Sequence, residues 1–422
     1  MTEPEVLVIV DGYSTGRYVP EIAGRHDIRC VHVQSSETPP DFFERSFVTD
    51  AYLAHLIDQG DVTTLAAEIR RLGRPLGVLA GVDTGTALRD KLAAALHLPG
   101  NTPDSSAHRR DKYAMAEALQ SAGLRSIRHR LISDVSALPA ALDTLGGFPM
   151  VVKPVNSAGT DGVRIVASLN DARSAVLSII GRKNALGADN HYALLQEYID
   201  GTEYIVNTVS INGKHKIIDA WRCEKLIAGA YKLYDVEVMI DPAEPEVNQV
   251  IRPYLFAMLA ALRIQQGPAH TELMVDADGP VLIETGARLH GSIDPSAVSR
   301  CINTNHPEAA VAAMIDPATF EASVDNMAKP RQMSLCIGLI SKRAGVIEGE
   351  PGIDAIRALP SFHSLRANYQ RGKSIPETRD LLSCPGIVYL VGEDQPALWR
   401  DYRRVRDIEH AGLFTFAEGI SQ

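Results

Sequence analysis

Cysteine is scarce and scattered in this 422-residue chain. Five residues (Cys30, Cys223, Cys301, Cys336 and Cys384) form no Cys-x-x-Cys pair, and their number is odd. That argues against a disulfide framework and a structural zinc site, and five reduced thiols in or near the core are expected. Long apolar runs are also missing. The run near the start, Val6–Val10, falls far short of the roughly 20 residues of a membrane span. The opening Met-Thr-Glu-Pro-Glu has no basic segment of the kind that begins a secretory signal, so the cytoplasm is the expected location and no membrane partner is expected. Basic residues are in deficit: the net charge is −10, which disfavours a nucleic-acid role built on phosphate neutralisation. There is no internal repeat and no low-complexity stretch. With 45% hydrophobic and 22% charged residues, the composition is that of a soluble globular protein, long enough for two to four domains.

Strands and helices alternate over the first hundred residues. Glu5–Val10, Arg29–Val33 and Gly77–Gly81 read as strands, and Thr86–Leu96 reads as a helix, a pattern that predicts a parallel α/β lobe over 1–105. The turn-rich segment Gly100–Ser106 closes it. A helix is predicted from near Ser106, carrying Lys112, with Gly123 as its C-terminal cap. From Phe148 the pattern changes to strands and glycine turns. The expected division is 1–105, 106–205, 206–328 and 329–422, with a small α+β domain at the end. The fold class is therefore α/β and α+β, multidomain.

Three stretches carry chemistry. In the first, an apolar strand delivers Lys153, and the loop Ser157–Gly162, with Gly159 and Thr160 at its centre, runs into a second strand. Such a loop brings backbone N–H groups close to phosphate oxygens. A Walker A loop would place its lysine after the glycines and run into a helix. Here the order is reversed, so the element is a hairpin flap, the bland alternative being an ordinary glycine hairpin with a surface lysine. In the second stretch, Glu197 and Glu203 flank a turn at Asp200-Gly201. Their spacing suits adenine and ribose, with Tyr198 and Ile199 lending backbone groups; acids beside turns are otherwise simply solvated.

The third stretch runs from His270 to Arg288. Ala277-Asp278-Gly279 is expected as a three-residue hairpin loop, with Asp276 opposite Pro280 and Glu272 opposite Glu284. Leu273, Val275, Val281 and Ile283 would then face the core, with Leu282, Glu284, Gly286 and Arg288 on the other side. Opposed carboxylates repel, so a positive group is needed between them. A divalent cation with oxygen ligands, Mg²⁺ shared with nucleotide phosphates, is one candidate. The alternative is that Arg288 itself pairs with both acids. His270 reads as a satisfied core histidine or as a base.

Taken in order, Lys112, Lys153-Pro154 with its flap, Gln196-Glu197…Gly201-Thr202-Glu203, Glu272, Glu284 and Arg288 resemble the ATP-grasp superfamily over roughly 106–300. The wording Ala269-His-Thr-Glu-Leu and Glu284-Thr-Gly-Ala-Arg-Leu-His-Gly resembles its L-amino-acid (dipeptide) ligase branch, the bacilysin-synthetase type. The resemblance implies an ATP-grasp fold with an N-terminal parallel α/β lobe, nucleotide-clamping central lobes and a C-terminal α+β domain. It implies an ATP-dependent ligase that makes an amide from a carboxylate and an amine through an acyl phosphate. ATP would be held by Lys112, Lys153, Ser157, Gly159, Thr160, Gly162, Glu197, Tyr198, Ile199 and Glu203. Two Mg²⁺ ions, or Mn²⁺ in their place, would be held by Glu272 and Glu284. Arg288 and Lys153 would be catalytic. One departure is Gly286, where many members of the wider superfamily carry a metal-binding Asn.

For substrates, an amino-acid-like carboxylate and an amine are expected, with His270, Arg222, Lys225, Arg288, Gly291 and Ser292 as contacts; Trp221, Tyr231 and Tyr234 lie in the same stretch. A homodimer is an expectation of the resemblance. The competing readings are another ATP-grasp enzyme, a carboxylase or purine-pathway ligase, and a non-catalytic nucleotide-binding module.

Overall fold

The computed structural model describes residues 3–44, 46–228, 231–291 and 293–417. The chain forms two compact units, one of Met1–Ala220, Pro242–Pro295 and Asn305–Met327, the other of Trp221–Asp241, Ser296–Thr304 and Ala328–Gln422.

The first unit opens with strands β1 (Glu5–Val10), β2 (Arg29–Gln34), β3 (Ala54–Ile57) and β4 (Arg74–Ala80), which form a parallel sheet in the order β3-β2-β1-β4. The run Val6–Val10 is unbroken because both faces of the sheet are covered. Leu7 and Ile9 pack with Val19, Ile22 and Ala23 of the helix Val19–Gly24. Val6, Val8 and Val10 pack on the other side with Leu65 and Ile69 of Val62–Leu72 and Leu88 and Leu92 of Thr86–Ala95. At the carboxyl end of the sheet the loops after β1 and β4 touch, and a side chain at Gly81 would strike the carbonyl of Asp11.

The predicted helix from Ser106 begins later. Pro103–Arg109 is a tight 3-10 run, and the α-helix is Lys112–Ser121. Asp111 sets that start: its side chain accepts from the N–H groups of Tyr113 (2.9 Å) and Ala114 (3.0 Å), the bonds an N-cap supplies. The turn-rich stretch before it is a buried joint. Arg109, 1% exposed, donates to Asp90 (2.6 Å), to the Thr102 carbonyl (2.7 Å) and to the Leu262 carbonyl (3.1 Å). Asn101 accepts from the N–H groups of Gln265 and Gln266 at 2.8 and 2.9 Å.

Next come β5 (His129–Ile132), β6 (Met150–Pro154), β7 (Arg164–Val166) and β8 (Ala193–Glu197), antiparallel in the order β5-β8-β6-β7. The helices Leu138–Leu145 and Leu169–Ile179 bury their apolar stripes against them. The loop between β6 and β7 is the glycine flap.

Strand β9 (Thr202–Ile211) leads into β10 (Lys214–Ala228), which enters the second unit at Trp221, and β11 (Tyr231–Ile240) follows. The first unit then resumes with β12 (Gly267–Asp276) and β13 (Gly279–Gly286); β12 lies between β9 and β13, antiparallel to both. The three-residue loop predicted for this hairpin is a two-residue turn. Asp276 faces Gly279 and Val275 faces Pro280. Glu272 still stands opposite Glu284, because a bulge at Ile283 absorbs the displaced residue: Leu273 pairs with Leu282. The bulge also corrects the predicted facing, since Leu282 is buried and Ile283 only half-buried. The Tyr254 hydroxyl accepts from the Leu282 N–H at 3.0 Å, and Arg125 pins the turn with two bonds to Asp276, at 2.8 and 2.7 Å.

In the second unit, β11, Met333–Gly338, Gly386–Gly392 and Phe362–Ala367 make an antiparallel sheet, packed on the helices Pro351–Arg357 and Gln395–Ala411. All five cysteines are free and buried, as expected. Among the described residues no helix is long and apolar enough to cross a membrane.

Candidate active site

The helix Lys112–Ser121 and the hairpin β12–β13 bring Lys112 and Glu284 together, with Nζ 2.7 Å from Oε2. Both are largely shielded, their side chains 10% and 21% exposed. Burial alone would push the Glu284 carboxyl up, but Lys112, Lys153 and Arg288 outweigh it and hold the group below the ordinary carboxylate range. Glu284 is therefore an anion around which cations gather. Lys153, on β6, is buried.

Lys112 also ties down the flap, donating to the Ser157 carbonyl at 2.8 Å. The flap turns through Gly159, Thr160 and Gly162, all at positive φ. Asp161 holds it in place, accepting from the Ser157 hydroxyl (2.7 Å) and the Ala185 N–H (2.9 Å). One cavity is lined by Asp83, Arg110, Lys112, Met115, Asn156, Ser157, Leu186, Glu284, Thr285 and Gly286.

Arg288 does not bridge the two glutamates. Its Nε donates to Asp83 Oδ2 at 3.0 Å and its Nη1 to the Leu289 carbonyl at 3.0 Å. Glu272 has its own neighbour, with Oε1 3.4 Å from His270 Nε2. His270 is buried and stacked on His290, ring centroids 4.3 Å apart. Its Nδ1 lies 2.9 Å from Asn207 Oδ1, and the Asn207 amide donates to Asp219 (2.5 Å) and to His290 Nδ1 (3.1 Å). That chain makes Nδ1 the protonated nitrogen of His270, so Nε2 turns its lone pair toward the Glu272 carboxylate. Burial, with Arg288 nearby, keeps the His270 pKa well below that of a free histidine, so the ring is neutral. A lone pair facing a carboxylate favours a cation nearby, and so do the opposed glutamates. On donor chemistry, two carboxylates suit a hard divalent cation completed by phosphate oxygens. Among the described residues no group of three or more His, Cys, Asp or Glu side chains could hold a metal by itself.

The remaining predicted residues distribute as follows. Glu197 accepts from the Arg128 N–H (2.8 Å) and Nε (2.6 Å) at the end of β8. Glu203 lies on β9 in register with Met274. Tyr198 and Ile199 form the link between the strands, and Ile199 packs with Ile127, Met274 and Val281. The Gly291 carbonyl accepts from the hydroxyls of Ser14 (2.5 Å) and Thr15 (3.2 Å). Arg222 and Lys225 belong to the second unit, Arg222 beside Glu224 and Lys225 over the Tyr234 ring at 4.4 Å. Ser292 and the side chain of Tyr231 lie outside the described residues. Sequence reading missed Asp83, Arg110 and the Asn207–Asp219 pair. Asp83 had one signal: it follows β4 at the carboxyl end of a parallel strand, where open α/β sheets bind ligands.

Comparison with known proteins bears on this arrangement. The model of the ATP-grasp domain family matches residues 146–295. Dapdiamide A synthase from Enterobacter agglomerans is 29% identical over 426 residues, spanning 98% of this chain and 99% of that protein. The crystal structure of an L-amino acid ligase from Bacillus licheniformis superposes with a TM-score of 0.76 at 21% identity, covering 96% of this chain and 98% of that one. The phosphoribosylglycinamide synthetase from Anaerococcus prevotii superposes with a TM-score of 0.67 at 13% identity, covering 96% and 98%.

Proposed function

With an ATP-grasp domain at the centre of an ATP-grasp fold, the chain is an ATP-dependent amide-forming ligase, and from that premise we propose which residues do the work and on what substrates. The acyl donor is an amino-acid-like carboxylate and the acceptor is an amine. The likeness to Dapdiamide A synthase over almost the whole of both chains supports this class over a carboxylase or a purine-pathway ligase.

A carboxylate oxygen of the donor attacks the γ-phosphorus of ATP, forming an O–P bond as the bond to the β-phosphate oxygen breaks and ADP leaves. Lys112 and Lys153 neutralise the phosphate oxygens, the main demand of phosphoryl transfer. The amine then attacks the acyl carbon. A tetrahedral intermediate forms and collapses with release of phosphate, and the amine nitrogen gives up a proton to solvent. Arg288 supplies fixed positive charge to the oxyanion, with Nε and Nη1 already committed and Nη2 left for the ligand. The flap Ser157–Gly162, tied by Asp161, keeps water from the acyl phosphate. Glu272 and Glu284 would hold Mg²⁺, which supplies charge neutralisation at the phosphates when bound. Tyr198 and Ile199, the latter packed on Ile127, Met274 and Val281, would lend backbone groups to adenine, with Glu203 at the ribose and Glu197 at the base.

The observation that carries this reading is Glu284, an anion opposite Glu272 surrounded by Lys112, Lys153 and Arg288. It is tested by ADP and phosphate release with ATP, Mg²⁺ and pairs from a panel of amino acids and simple amines. Release that requires two substrates and disappears in Glu284→Ala supports it. ATP binding without turnover on any pair would sink it.

A further inference from the structure

We propose that Asp83 is the residue that receives the α-ammonium group of the amino-acid donor and so sets the preference for it over the des-amino acid; this rests on the ligase reading above. Asp83 gives one oxygen to Arg288, Oδ2 at 3.0 Å from Nε. The other, Oδ1, has no hydrogen-bond partner among the described residues. Asp83 is the more open member of the pair, its side chain 22% exposed against 10% for Arg288, and it lines the cavity together with Glu284 and Lys112.

Two further features point the same way. A Cβ at position 286 would stand 2.7 Å from Asp83 Oδ1, closer than real contacts allow. Glycine at 286 thus keeps the space that this oxygen occupies. The second feature is the sign of the charge. A cavity that receives phosphates gains nothing from an added carboxylate with a spare oxygen, unless a positive group of the substrate meets it. In an α-amino acid the ammonium and carboxylate groups hang on one carbon. A guanidinium and a carboxylate already side by side, each with an unused atom, present the complementary pair. The loop between β4 and the helix Thr86–Ala95 is where an open parallel sheet meets its ligands.

The test uses the whole enzyme with ATP, Mg²⁺ and one fixed amine. Matched donors are compared: L-alanine with propionate, L-valine with 3-methylbutanoate, L-phenylalanine with 3-phenylpropanoate. The wild type is expected to favour the amino acid of the preferred pair by about 100-fold in kcat/KM, the order of effect of losing one partner of a shielded charge pair. In Asp83→Asn that preference collapses to within a few-fold, because the amino acid loses far more kcat/KM than its des-amino match. Equal losses on both donors would mean that Asp83 only orients Arg288, and would overturn the proposal. A second measurement needs no variant: N,N-dimethyl donors, still cationic, are used by the wild type, and N-acetyl donors, neutral, are rejected. Acceptance of N-acetyl donors as readily as free amino acids would overturn it too. No turnover on any donor removes the ligase reading itself, and the proposal with it.

Discussion

Changing Glu284 to Gln should make metal-free ATP bind more tightly. The geometry sets the sign. Lys112 is held by Glu284 at 2.7 Å, and the carboxylate repels any phosphate brought to the same lysine. Glutamine keeps the shape and removes the charge, so Lys112, Lys153 and Arg288 are left for the polyphosphate. A charge-assisted contact is worth about 1.5–3 kcal/mol when shielded, and less with solvent access. Side-chain exposures of 10% and 21% place this pair toward the lower end, about 1–2 kcal/mol, or roughly a 5- to 30-fold fall in Kd. With Mg²⁺ present the direction should reverse, because the variant has lost a carboxylate proposed to hold the ion. Calorimetric titration with ATP in excess chelator, then in excess Mg²⁺, reads both. Weaker or unchanged metal-free binding in Glu284→Gln would refute the picture of Glu284 as the anion that occupies the phosphate-binding lysine.

Acid should weaken the first unit early. Burial lowers His32 and His306 to about 3 and His215 to about 4, below the ordinary value of 6.5, so each is neutral when folded and binds a proton on unfolding below pH 6.5. Their contribution is complete above pH 6.5 and is lost as pH falls toward the folded values, by about 1.4 kcal/mol per pH unit for each. Urea unfolding at pH 7.0 and 5.5 should show the loss, and His215→Gln should reduce the pH dependence; a variant with an undiminished dependence would contradict this. Gly286→Ala should displace the Asp83 carboxylate from its place beside Arg288, since the new methyl meets Asp83 Oδ1 at 2.7 Å. Amide formation should fall about 10- to 100-fold with the unfolding midpoint little changed, and unimpaired kcat/KM would show that Asp83 moves aside at no cost.

The parallel lobe was legible because its strands are apolar on both faces; β3 was not, because an edge strand with alternating exposure has no apolar run to announce it. The opposed glutamates were predicted correctly although the turn was not. Two errors cancelled there: the loop is one residue shorter than expected, and the bulge at Ile283 takes up the difference. A bulge answers to neighbours such as Tyr254, nearly thirty residues away in sequence, and local pattern cannot carry that. Asp83 escaped for the same reason. It stands about two hundred residues before Arg288, and only the folded lobe brings them together.

The buried joint at Arg109 bears on how such a protein can be recombined. One guanidinium is shared by Asp90 and Thr102 on one side and the Leu262 carbonyl on the other, while Asn101 grips Gln265 and Gln266. A crossover that exchanged residues 1–105 with a relative would part Arg109 from Asp90 and Thr102, and Asn101 from Gln265 and Gln266, although the cut itself would fall in a segment that reads as a linker. Functional chimaeras should therefore inherit Asn101, Arg109 and the stretch 262–266 from one parent, and the first lobe should travel only in company with that distant loop.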